Sequence, residues 1–177
     1  MVNITFPLND NMAKEIKIIE IKWDGPFSFE ECVDKNCKVI GYGIYQIYGT
    51  HNILGENTLL YIGKASDQEF GTRIAQHGEW VKHEQNEMKF YLGRLGGETQ
   101  ISDEDWAQSI SDAEQLLIYY CSPPYNSKNI HDYGDIERTI VLNFGKKNRI
   151  PYEVSTLIEE SLFWLGERKW RLYEFKK

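Results

Sequence analysis

No apolar run in these 177 residues approaches the roughly 18 that a bilayer-spanning helix needs, so a membrane partner of that kind is not expected. Residues 1–14 carry Asn, Asp and Pro where a secretory signal has a continuous apolar core, and the expected compartment is the cytoplasm. Cysteine is scarce, with only Cys32, Cys37 and Cys121. Cys32 and Cys37 are spaced too loosely for a CxxC half-site, and no nearby His pair completes a zinc set. They read as small, reduced, partly buried thiols. Positive charge is scarce as well: 20 Lys and Arg against 27 Asp and Glu leave a net charge of −7. That argues against a general nucleic-acid coat protein, because phosphate neutralisation supplies most non-specific affinity. Repeats, low-complexity stretches and Ser/Pro linkers are missing, and no zinc-finger or helix-turn-helix spacing offers a base-reading module. What remains is ordinary globular composition, 41% hydrophobic and 27% charged, which predicts one domain over 1–177.

The charge is unevenly spread. Residues 1–137 hold 11 Lys and Arg against 22 Asp and Glu, whereas residues 138–177 hold 9 against 5. Lys146, Lys147 and Arg149 form one basic cluster; Arg168, Lys169, Arg171, Lys176 and Lys177 form another. Such clusters are commonly solvated surface, yet a polyanion meets the least repulsion at this end.

Along the chain, residues 1–12 read as a loose arm. Ile16 to Trp23 alternates apolar and charged residues as a strand does, with a stop at Asp24-Gly25-Pro26. Residues 38–49 and 58–64 are short Ile- and Tyr-rich runs that predict an antiparallel hairpin with a long loop over Thr50 to Asn57. In that hairpin Tyr45 and Tyr61 can point to one side of the sheet. Residues 70–85 predict one helix with Ile74, Ala75 and Val81 inward, weakened by Gly78, and Arg73 and His77 stand one turn apart on it. Lys89 to Leu95 predicts a third strand. Ser102 with Asp105 predicts the N-cap of a helix running to about Cys121, with Trp106, Ile110, Ala113, Leu117 and Tyr120 as its apolar stripe and Glu114 beside it. Pro123-Pro124 stops that helix, and Tyr125-Asn126 follow in a constrained turn. Residues 153–166 predict a last amphipathic helix.

Gly43-Ile44-Tyr45 and Tyr61-Ile62-Gly63 on adjacent strands, Arg73 and His77 on the next helix, Glu114 on a later one, and Pro123-Pro124-Tyr125-Asn126 after it resemble, in this order, the motifs of the GIY-YIG endonucleases. The resemblance covers roughly residues 40–130, with 1–37 and 131–177 as additions. It implies a small α/β core of the α+β type, a three-stranded antiparallel sheet flanked by helices. It also implies hydrolysis of phosphodiester bonds in DNA with one Mg²⁺ or Mn²⁺ ion. The hairpin loop is longer than in the shortest members, so a small insertion is expected there.

Under that resemblance, Tyr45 orients and deprotonates the attacking water, a task for which a phenol needs a neighbouring cation. Arg73 grips the scissile phosphate, a planar guanidinium being suited to two parallel bonds. Glu114 supplies the carboxylate for a hydrated divalent ion. Tyr61 bonds the phosphate or the water, His77 relays a proton or contacts phosphate, and Asn126 supports the site. Gly43 and Gly63 permit close approach, and Lys64 adds a phosphate contact. Each residue also has a plainer reading. Glu114 suits a solvated helix face, Arg73 a surface ion pair with Asp67 or Glu69, Tyr61 the core, and Asn126 a turn. His51, His83 and His131 read as surface residues. RNA as substrate, a homodimer and a protein partner all stay open, as does a catalytically silent or partner-dependent nucleic-acid-binding module.

Overall fold

Alternation of apolar and charged residues builds the first strand, β1 (Lys17–Phe27). Ile19, Ile21 and Trp23 point into the core, and Glu20, Lys22 and Asp24 point out. The computed structural model describes residues 15–34, 41–83, 87–96 and 102–157. The expected N-terminal arm, Cys37, the second basic cluster and most of the last helix lie outside them. β1 does not stop at Asp24-Gly25-Pro26: the register shifts there, and pairing resumes at Phe27 opposite Phe90. Gly25 adopts φ +140°, and a β-carbon on it would sit 2.8 Å from the Phe90 carbonyl oxygen, so glycine is what lets the strand pass. A capping box then starts α1 (Phe29–Val33), with Ser28 and Glu31 each bonding the other's backbone N–H.

β2 (Gly43–His51) and β3 (Gly55–Ala65) form the expected hairpin, but with a tighter connection than the sequence suggests. His51 pairs with Gly55, and only residues 52–54 turn. The additional residues lengthen the strands and are absorbed by irregularities at Ile47/Tyr48 and Gly49/His51 instead of forming an insertion. β4 (Lys89–Gly96) lies antiparallel between β2 and β1. β5 (Thr139–Gly145) runs parallel to β1, and β6 (Glu153–Ser155) pairs antiparallel with β5. The expected three-stranded sheet is therefore corrected to a six-stranded one in the order β3-β2-β4-β1-β5-β6. Its first three strands are antiparallel as expected; the flanks supply the other three. Glu153–Ser155, expected to open a helix, is strand because its backbone completes the free edge of β5.

The helix expected over 70–85 is two short ones, α2 (Phe70–Ala75) and α3 (Gly78–His83), broken at Gln76-His77. Ile74 is buried and Val81 half-buried, but Ala75 is exposed: it follows Ile74 directly on α2, about 100° round the helix from the face that buries Phe70 and Ile74. α4 (Asp103–Cys121) begins as predicted, Ser102 Oγ accepting from the Asp105 N–H at 3.1 Å, with three acidic residues in its first turn. It ends at Ser122, whose left-handed backbone (φ 44°) precedes the two prolines.

Two cores result, one on each face of the sheet. α4 lays Ile110, Ala113 and Leu117 on Ile19, Ile21, Trp23, Ile44 and Ile62. On the other face α1, α2 and α3 cover Tyr45, Ile47, Leu60, Phe90 and Leu92. β2 is consequently buried on both sides from Gly43 to Gly49, whereas β3 is the sheet's edge. Among the described residues no helix is long and apolar enough to cross a membrane.

Candidate active site

The hairpin register decides which side chains meet. Tyr45 pairs with Gly63 and Ile47 with Tyr61, so both tyrosines stand on the face covered by α2 and α3, their ring centroids 6.1 Å apart. Gly63 is required there: a β-carbon on it would come within 2.5 Å of the Tyr45 hydroxyl oxygen and 2.7 Å of the Tyr61 ring. Gly43, at φ +147°, passes so close to the Gly93 carbonyl that no side chain fits. It serves strand packing and touches none of the site groups described below.

The break between α2 and α3 places His77 over this pair. The Tyr45 hydroxyl lies 2.8 Å from His77 Nε2, and the His77 ring lies 5.7 Å from Tyr45 and 5.2 Å from Tyr61. Burial pushes the Tyr45 pKa well above the usual phenol range, helped by Tyr61 and Glu114 and opposed by Arg73. Burial, assisted by the Arg73 charge, pulls His77 down to about 4. At neutral pH both groups are therefore uncharged, and the phenol donates to the imidazole, whose own proton then resides on Nδ1. The cation that a phenolate requires is present in Arg73, but burial outweighs it. Tyr45 has no exposed surface; Tyr61, Arg73, His77 and Glu114 are half-buried.

Arg73 donates to Gln76 Oε1, and Gln76 in turn donates to Gln68 at 3.0 Å. The partner is an amide, not Asp67 or Glu69, so this bond aims the guanidinium without cancelling its charge. Arg73 acts electrostatically on Tyr45, Tyr61, His77 and Glu114, which places it centrally among them.

Glu114 and Lys64 belong to the opposite face. Lys64 pairs with Ile44 on the α4 side, and its ammonium donates to Ser111 Oγ at 2.6 Å and stands 3.8 Å from Glu114 Oε2. The carboxylate nevertheless acts electrostatically on both phenols, raising the pKa of each. Burial raises the Glu114 pKa, with Lys64 and Arg73 pulling it back. Among the described residues no group of three or more His, Cys, Asp or Glu is gathered to hold a metal ion. A lone carboxylate does not make a closed cage. It does fit a hard cation that keeps its water and shares substrate phosphate oxygens.

Asn126 bonds backbone instead of the side chains above. Its side chain accepts from the Ile62 N–H at 3.0 Å and donates to the Ile62 carbonyl at 2.8 Å, while the Tyr125 N–H bonds Leu60 O. The Pro-Pro-Tyr-Asn turn thus caps the open edge of β3 and holds the Tyr61 strand in place. Three contributors are not evident from the motifs: Ser111, which steadies Lys64; Gln76, which steadies Arg73; and Trp80, whose ring lies 5.6 Å from His77. The Trp80 signal was its position three residues beyond His77, on the same helical face. His51 is not an idle surface residue: Nδ1 accepts from the Ile53 and Leu54 N–H groups, and its ring meets Tyr125. Of the basic residues, Lys146 pairs with Asp24 and Lys147 sits over the Tyr152 ring, both remote from this centre in the sheet order.

In comparison with protein families, curated proteins and solved structures, nothing matches this chain.

Proposed function

We propose that the chain is a metal-dependent endonuclease that hydrolyses phosphodiester bonds in DNA, in the manner of the GIY-YIG enzymes its motifs resemble. The observation that carries this reading is the 2.8 Å contact between the Tyr45 hydroxyl and His77 Nε2, made beside Tyr61 and Arg73 with Glu114 in electrostatic reach. A hydrolytic step needs a route for the water's proton and fixed positive charge on the phosphate. Tyr45 and His77 offer the route. A water gives its proton to the Tyr45 oxygen as the phenol's own proton passes to His77 Nε2. The water oxygen bonds to phosphorus, and the bond from phosphorus to the leaving oxygen breaks, that oxygen taking a proton from solvent. Arg73 grips the phosphate and Tyr61 hydrogen-bonds it. Glu114 would hold Mg²⁺ or Mn²⁺ once Lys64 turns to the substrate, and the ion's charge would stabilise the departing oxygen. Because Tyr45 is fully buried, substrate entry has to shift Tyr61 or His77 before water meets the phenol.

That same burial favours a second reading, a catalytically silent or partner-dependent nucleic-acid-binding module; at a net charge of −7 the chain alone gains little from phosphate contacts, so a partner would supply the affinity. Incubation with supercoiled plasmid and Mg²⁺ or Mn²⁺ separates the two. Nicking that disappears in Arg73→Ala and Glu114→Ala, both still folded, supports the enzyme. Binding in metal-free buffer that Glu114→Ala leaves intact, with plasmid uncut when metal is added, supports the module.

A further inference from the structure

The ring cluster does not end at His77. Trp80 follows at 6.0 Å from Tyr61, Tyr125 at 5.1 Å from Trp80, and His51 at 5.8 Å from Tyr125. These rings come from three separate elements: α3, the turn after α4, and the end of β2. They form one row leading away from the Tyr45–Arg73 centre along the β3 edge. Successive rings are tilted by 58° and 53°, so none covers its neighbour flush. Tyr125 is 43% exposed, and Trp80 and His51 are half-buried. At the far end His51 Nδ1 ties down the turn at residues 52–54, whose Ile53 and Leu54 are 87% and 61% exposed.

A row of aromatic faces opening from a phosphate-gripping centre is suited to bases, whose π-faces stack on Trp, Tyr and His irrespective of sequence. Duplex DNA hides those faces inside its own stack. The chain's charge points the same way. At −7 it gains little from phosphate contacts, whereas stacking does not depend on charge of either sign. Apolar groups such as Ile53 and Leu54 are of the kind that enter between base steps and hold a strand open.

We propose that Trp80, Tyr125 and His51 form a stacking ledge for unpaired bases next to the scissile phosphate, making single-stranded or locally opened DNA the substrate class. This rests on the hydrolytic reading for the word substrate, but the ledge itself is a binding property and is testable without metal. The probe is a short fluorescein-labelled oligodeoxythymidylate, alone and annealed to its complement, titrated with the full chain in EDTA and followed by anisotropy. The single strand binds more tightly than the duplex. Tyr125→Ala weakens single-strand binding by about 5- to 150-fold and leaves duplex binding unchanged. Tyr125→Phe, which keeps the ring, binds like the unaltered protein. His51→Asn, which keeps an acceptor for the turn but removes the ring, weakens the single strand in the same direction. Binding to the single strand that is indifferent to both ring deletions, or duplex binding as tight as single-strand binding, overturns the ledge. A protein that cuts DNA yet is indifferent to Tyr125 loses only the ledge; one that stacks through Tyr125 yet never cuts loses only the hydrolytic reading.

Discussion

Gly63 lies directly beneath the Tyr45 phenol, so close that a β-carbon would come within 2.5 Å of its oxygen. The third residue of Tyr61-Ile62-Gly63 is thus set by Tyr45 on β2. Gly63→Ala drives the phenol off His77 or forces the strands apart. It is expected to cost about 1–3 kcal/mol, each ~1 kcal/mol lowering the melting temperature by roughly 2–4 °C in a chain of this size. Thermal melting checks it; an Ala variant as stable as the parent contradicts the packing described.

His77 carries a pH signature. Its folded pKa, near 4, lies below its ordinary value of 6.5, so the unfolded chain takes up a proton first as pH falls. The contribution to stability is full above pH 6.5 and is lost progressively between 6.5 and about 4. Melting temperatures taken across that window should fall less steeply for His77→Gln than for the parent. An identical slope would show that the imidazole is not desolvated.

Asn126 is expected to act through structure. Deleting its side chain leaves the Ile62 N–H and C=O on the sheet edge without their partners, at a cost of about 1–3 kcal/mol. Asn126→Asp should do no better than Asn126→Ala, since a carboxylate sets an oxygen against the Ile62 carbonyl. Urea unfolding of both variants tests this, and an Asp variant of parental stability excludes the paired geometry.

Glu114 sits at a cost. Burial raises its pKa, which means that its charged form is disfavoured in the fold, and this penalty is fully present above the folded pKa and absent below the unfolded value of 4.5. Glu114→Gln removes the charge at nearly constant volume. The variant should melt higher than the parent at neutral pH, with the difference vanishing in acid. A lower melting point at neutral pH would mean that the Lys64 pairing outweighs desolvation.

Much of the core was legible because its signals are local. Alternation from Ile19 to Trp23, the two tyrosine-bearing runs, and the Ser102 cap with its stripe to Tyr120 all rest on neighbours within a turn or a hairpin. Thr139–Gly145 was not legible. Its partner β1 lies more than a hundred residues away and runs parallel, so no turn between them marks the pairing. Glu153–Ser155 could not be told from a helix start, because its strand state depends on β5. The break at Gln76-His77 was hinted at by Gly78 alone, yet it is what swings His77 over Tyr45. The motif residues were visible one at a time. That Lys64 and Glu114 share the α4 face while Tyr45 and Tyr61 stand on the other, and that Asn126 grips Ile62, are facts of topology that spacing does not carry.

The most direct test is single-turnover cleavage of an end-labelled DNA strand in Mg²⁺ by the parent chain, Tyr45→Phe and Glu114→Gln. The expected result is cutting by the parent, a loss of roughly 10²- to 10⁴-fold in Tyr45→Phe as the proton route closes, and no product from Glu114→Gln. Equal rates for all three proteins, or an intact strand with every one of them, would contradict it.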